Sequence, residues 1–147
     1  MRTAVSVVAL LVLSACSTGG SSLNPAIHIR DVKIPEARTP LASQFSTVLE
    51  IEITNPSTTE TLTVDRIQLG SVSVGTFTLD NVIERPQTKI APGATELLRV
   101  WTQVRVVADT ASEGLDPFFI RGAVEFVTST GAFRRTFAKQ VNPSTLR

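Results

Sequence analysis

Apolar and polar residues alternate with period two along most of the chain after residue 25, and no long stretch keeps a helical period. Ala26 to Ile34 is the first strand candidate. Ile27 and Ile29 share one face and Val32 and Ile34 the other, so a bulge or sheet switch is expected near Asp31. Phe45 to Thr54 is the clearest strand. Phe45, Thr47, Leu49, Ile51 and Ile53 point inward, and Ser46, Glu50, Glu52 and Thr54 outward, with Val48 between them. Asn55-Pro56-Ser57 ends it, because Pro56 has no N–H to give a ladder and Asn55 can bond its own backbone in a turn. Leu62 to Leu69 follows, with Arg66 interrupting the series Leu62, Val64, Ile67 and Leu69.

Gly70-Ser71 and Gly75 predict turns or kinks, and Thr76 to Leu79 continues the pattern. Arg85-Pro86-Gln87 is expected to be a loop. Ala91-Pro92-Gly93-Ala94 has proline and glycine where a type II turn takes them. Thr95 to Val107 is a long strand. Leu98, Val100, Thr102, Val104 and Val106 line one face; Leu97, Arg99, Trp101, Gln103 and Arg105 line the other. Ala108 to Pro117 breaks the pattern and suits one helical turn capped by Asp109 and ended at Gly114. Phe118, Ile120, Gly122, Val124 and Phe126 alternate cleanly. Thr128 to Gly131 is a hairpin loop, and Phe133 to Val141 returns antiparallel. About seven short strands, with turns every 8–12 residues or so, predict an all-β antiparallel sandwich.

The N-terminus follows another pattern. Arg2 supplies a positive charge, and Ala4 to Leu13 is apolar except for Ser6. That run is shorter than the roughly 20 residues a membrane-crossing helix needs, and it fits a secretory signal. Leu13-Ser14-Ala15-Cys16 resembles a bacterial lipobox. The resemblance implies cleavage before Cys16, acylation of its thiol and attachment to a membrane; two or more acyl chains anchor stably where one does not. Ser17, in place of aspartate, favours the outer membrane with the domain facing the periplasm. Residues 1–15 are therefore expected to be the signal, 16–25 a lipidated cysteine with a flexible Gly/Ser tether, and 26–142 one domain.

Composition narrows the function classes. Hydrophobic residues are 42% and charged residues 18%, which argues for a folded core. A net charge of +1 leaves no basic field for nucleic acid. A single cysteine rules out an internal disulfide and a cysteine metal cage. No cofactor site and no small-molecule substrate site is evident. His28, the one histidine, lacks a nucleophile and an orienting acid in any recognisable pattern, so no catalytic residue is assigned. Asp109, Glu113 and Asp116 share a loop but match no calcium-binding spacing, so no metal site is assigned. Glu50 and Glu52 fit a solvated strand face that also discourages edge pairing. Arg134, Arg135 and Lys139 make a weak basic patch on the last strand. Arg99, Trp101 and Arg105 are the candidate binding residues, since tryptophan and arginine are common interface anchors. The alternative is Trp101 packed under a loop with the arginine stems over it.

Leu49-Glu-Ile-Glu-Ile-Thr-Asn55-Pro56 resembles the strand and Asn-Pro signature of the water-stress and hypersensitive-response (WHy) domain of the group 2 late embryogenesis abundant family. Ile67-Gln-Leu-Gly70, Val74-Gly75, Ile90-Ala-Pro-Gly93 and Phe119-Ile-Arg-Gly122 follow in the order that family shows, so the resemblance spans about residues 26 to 141. It implies a fibronectin III- or immunoglobulin-like sandwich and a non-enzymatic envelope lipoprotein, stress-protective or scaffolding. A specific protein-binding subunit of an envelope assembly or transport system is the other expectation.

Overall fold

The computed structural model describes residues 23–35, 44–71, 77–106, 118–142 and 144–146. Ten strands form among them: β1 (Ala26–Pro35), β2 (Gln44–Thr54), β3 (Leu62–Ser71), β4 (Phe77–Leu79), β5 (Val82–Glu84), β6 (Thr88–Ile90), β7 (Thr95–Val106), β8 (Phe118–Thr128), β9 (Gly131–Val141) and β10 (Ser144–Leu146). One sheet has the order β10-β1-β2-β7-β4. The other has the order β5-β3-β8-β9, with β6 also paired to β3. All pairs are antiparallel except β1 with β10.

Seven strands remain when β5, β6 and β10 are set aside, and β1-β2-β7-β4 then faces β3-β8-β9. This four-plus-three order is that of an immunoglobulin constant-type sandwich. The expected all-β sandwich is the observed fold. The additional strands have three residues each, too few to show an alternation in sequence.

Residues from both sheets meet in one core, including Ile29, Leu49, Ile51, Ile53, Ile67, Ile120, Val124 and Phe126. Each fully buried aliphatic side chain contributes about 1.5–3 kcal/mol. Two register shifts keep the apolar residues facing inward. One lies between Ile29 and Asp31 of β1, where a break in the alternation is expected. The other lies between Val64 and Arg66 of β3. The extra residue there restores the phase, so Leu62 and Val64 before it and Ile67 and Leu69 after it are all buried. Gly70 and Ser71 do not form the expected turn. They continue β3 and pair with Arg121 and Ile120.

The two sequence punctuation marks meet at one corner. Asn55 is fully buried. Its Nδ2 donates to the carbonyls of Glu60 (2.8 Å), Ile90 (3.1 Å) and Ala91 (3.2 Å), and its Oδ1 accepts from the Ser57 N–H at 3.0 Å. Its backbone N–H donates to Ala94 O at 2.9 Å, and Gly93 N–H donates to Ser57 O at 2.8 Å. Gly93 has φ +71°, and Ala94 N–H reaches Ala91 O at 3.1 Å, as the type II turn requires. One amide thus ties the β2–β3 connection to the β6–β7 turn.

The edges of the domain differ from expectation. Leu23 and Asn24 fall within the expected tether, but the Leu23 carbonyl accepts a 2.6 Å hydrogen bond from Arg135 Nη2, and Pro25 is buried. The fold takes hold by residue 23 because an arginine of the edge strand β9 holds its carbonyl. At the other end β10 pairs with Lys33 to Pro35, which extends the fold beyond residue 142. The β8–β9 hairpin is tighter than expected. Thr128 pairs with Gly131 across Ser129-Thr130, and Gly131 has φ +142°. Cys16, Gly75 and the expected helical turn at 108–117 lie outside the described residues.

Candidate functional site

The outward row of β7 carries the candidate contact residues. The β7 alternation holds as expected: Val100, Thr102 and Val104 are buried, and Leu97, Arg99, Trp101 and Arg105 are exposed. Trp101 is 64% exposed, so it is not packed beneath a loop. Its cross-strand neighbour is Val48, itself buried on the outward side of β2. A hollow of about 320 Å³ opens beside the indole, lined by Ser46, Asp80, Asn81, Val82, Thr102 and Gln103.

The charged groups around Trp101 are engaged with one another. Arg105 Nε lies 2.8 Å from Asp80 Oδ1, and its Nη2 lies 3.1 Å from Asp80 Oδ2. These two parallel bonds fix the guanidinium plane. Gln103 Nε2 donates to Ser46 Oγ at 2.8 Å, and the Thr54 and Thr95 hydroxyls share a 2.8 Å bond. Arg99 Nε lies 3.2 Å from Glu50 Oε1, which also accepts from Lys33 Nζ at 2.9 Å. Arg99, Trp101 and Arg105 therefore share one face, but both arginine charges already have carboxylate partners. The indole is what the face offers.

Glu50 departs from the solvated position expected of it. It is 6% exposed and sits on a central strand, so it guards no edge. Lys33 from β1 and Arg99 from β7 converge on it because Asp31, Glu50 and Arg99 are register partners across three strands, with Lys33 two pairs further along β1, on the same face as Asp31. The Lys33 hydrogen bond, with help from Arg99, holds its carboxyl below the ordinary carboxylate range, against the opposing effect of burial. Glu50 is thus a fixed anion. Glu52 lies 3.9 Å from Arg30 and is half-buried.

His28 is exposed at the β1 edge, with Lys139 Nζ 2.7 Å from its Nδ1. Among the described residues, that pair has no nucleophile or acid hydrogen-bonded to it that would form a catalytic relay. The expected basic patch on β9 is divided by the strand alternation. Arg135 and Lys139 turn toward the N-terminal strand, where Arg135 also lies 5.1 Å over the Phe133 ring, while Arg134 points outward. Among the described residues no group of three or more His, Cys, Asp or Glu side chains is placed to hold a metal. Cys16, Asp109, Glu113 and Asp116 lie outside the described residues.

The fold and this face define a class: an immunoglobulin-type sandwich carrying an exposed tryptophan within a strip of fixed ion pairs. No family model matches the chain, and no curated protein matches it. Its fold is similar to the X-ray structure of Northeast Structural Genomics Consortium target SoR45, with TM-score 0.51 and 12% identity over 81% of this chain and 83% of that one. It is also similar to a Bordetella pertussis protein provisionally named ApaA, target BeR40, with TM-score 0.55 and 15% identity over 82% of this chain and 94% of that one. At such identities the likeness concerns the fold alone.

Proposed function

We infer that this chain is a lipid-anchored β-sandwich of a bacterial envelope, acting by contact with other proteins rather than by catalysis. The observation that carries the contact surface is Trp101, 64% exposed among side chains that are fixed by their own ion pairs. A large aromatic on a pre-organised face loses little entropy when a partner covers it. The carboxylates beside it, Glu50 and Asp80, are engaged by cations, which supports a binding role over acid–base chemistry.

The anchor rests on Leu13-Ser14-Ala15-Cys16. From Cys16 to Leu23, where the described fold begins, the chain has seven steps, a reach of at most about 25 Å. The domain then works close to one leaflet, facing the periplasm from the outer membrane. Cys16→Ser should move the protein out of the membrane fraction while leaving the folded domain intact. A Cys16→Ser form that stays with the membrane overturns the anchor. Trp101→Ala should reduce co-purification of the partner, and unchanged capture overturns the contact face.

A second reading is broad stress protection, as the resemblance to the WHy domain implies. Asn55-Pro56 and Pro92-Gly93, two motifs that carry this resemblance, are joined at one buried corner, which supports it. The protein should then preserve a test enzyme through drying or freeze–thaw. Protection no better than that of an inert protein at equal mass sinks this version.

A further inference from the structure

The outward side of the other sheet holds a groove of about 770 Å³, which meets the hollow beside Trp101 at Asn81. Its floor is Gly70, Ala123 and Ala138, and Gln68, Asn81, Ile83, Arg121, Arg134 and Thr136 also line it. Ile83 is 57% exposed. Asn81 lies directly over Gly70, where a Cβ would collide with its Oδ1.

The hydrogen-bonding state of this groove is the reverse of that around Trp101. Six of the eight described arginines have a partner: Arg30 with Glu52, Arg66 with Glu125, Arg85 with Asp65, Arg99 with Glu50, Arg105 with Asp80 and Arg135 with the Leu23 carbonyl. Among the described residues, Arg121 and Arg134 have none, and both line this groove. The side chains of Gln68, Asn81 and Thr136 are likewise without a hydrogen-bond partner among the described residues. Two free guanidinium groups and two free amides converging on a small-residue floor form a surface of unused, mostly donor, capacity.

The strand register sets the spacing. Arg121 pairs with Ala138, and Arg134 pairs with Glu125, so the two arginines stand four residues apart along the β8–β9 ladder. At about 3.3 Å per residue that is roughly 13 Å. An extended peptide places its i and i+4 side chains on one face at the same separation. Small floor residues let a backbone approach, and the amide and hydroxyl side chains between the arginines can bond its peptide groups. The groove lies open along the sheet, which suits a segment of chain better than a small ligand that needs most of its surface enclosed.

We propose that this groove binds an extended acidic peptide segment of another protein, with carboxylates at i and i+4 clamped by Arg121 and Arg134. Each guanidinium can take a carboxylate through two parallel hydrogen bonds. The proposal rests on neither the anchor nor Trp101: Arg121 and Arg134 line this groove and not the hollow beside the indole.

The test is fluorescence anisotropy of a labelled Thr/Val-based peptide bearing glutamates at i and i+4, against the full chain in nonionic detergent. The glutamate peptide should bind, and its glutamine counterpart should bind at least about tenfold more weakly. Arg121→Gln with Arg134→Gln should lose at least about the same factor. Arg121→Lys with Arg134→Lys, which keeps charge and loses the fork, should fall between that variant and the wild type. Arg30→Gln, which removes a paired arginine elsewhere, should bind as the wild type does. Equal binding of the two peptides, or undiminished binding by the glutamine double variant, overturns the proposal. So does complete displacement by inorganic phosphate at equal anion concentration, which would mark a simple anion site.

Discussion

Asn55→Asp changes one atom at the buried corner and tests why that corner holds. In the native chain Nδ2 donates to three carbonyl oxygens, of Glu60, Ile90 and Ala91, at 2.8, 3.1 and 3.2 Å. An aspartate keeps the shape but puts an acceptor where the donor was. The Ile90 contact is buried, so its carbonyl loses its donor without water to replace it. Each buried group left unpaired costs about 1–3 kcal/mol, so the Ile90 carbonyl alone costs that much before the loss of the two part-buried bonds and repulsion from the carboxylate. That is a large share of the roughly 5–15 kcal/mol typical of a domain. The carbonyls and the burial also raise the folded-state pKa of the new aspartate. The folded state then binds more protons than the unfolded state. Stability of the variant must fall as pH rises from about 3.9, the unfolded value, through the raised folded value. Urea denaturation followed by far-UV circular dichroism across pH measures this. A variant within about 1 kcal/mol of the wild type at neutral pH, or a deficit that does not grow with pH, refutes the assignment of the amide as donor.

Two further predictions concern the sheets. Glu50→Gln should destabilise the protein by about 1–2 kcal/mol at neutral pH, held to that size because the Lys33 and Arg99 side chains are 30% and 65% exposed and partly screened. Because the Glu50 pKa is lowered in the fold, its contribution is complete above the ordinary carboxylate pKa and is lost as pH falls through the folded value. The gap between wild type and variant should therefore narrow in acid, and a gap constant with pH in denaturant titrations would contradict the ion-pair account. Gly122→Ala should destabilise by about 1–3 kcal/mol in thermal or denaturant melts. Its new Cβ would lie 2.5 Å from Gln68 O, 2.7 Å from Phe137 Cζ and 2.9 Å from Leu69 Cδ2, so an equally stable variant would show that the strands can part there.

The apolar side of the fold was legible because its signal is periodic. Leu49, Ile51 and Ile53 on β2 and Ile120, Val124 and Phe126 on β8 are buried as their alternation predicts. Even the break at Asp31 appears as a register shift. The short strands β5, β6 and β10 were not legible, since three residues cannot display a period. Glu50 was misplaced for a different reason. Alternation assigns a residue to a face, but whether that face is wet depends on neighbours from other strands, and Lys33 and Arg99 are distant in sequence. The same limit hid the groove of Arg121 and Arg134, which only the β8–β9 register brings together. Trp101, in contrast, stood out as the one tryptophan on a polar strand face, and that face is where the structure exposes it.

The central claim is that the Trp101 face contacts protein partners at the membrane. The direct measurement is photo-crosslinking in living cells, with a photoreactive residue in place of Trp101 and, as a control, in place of Lys89, which is exposed on β6. Position 101 should give discrete adducts in the membrane fraction and position 89 should not. No adduct from position 101, or the same diffuse smear from both positions, would contradict it.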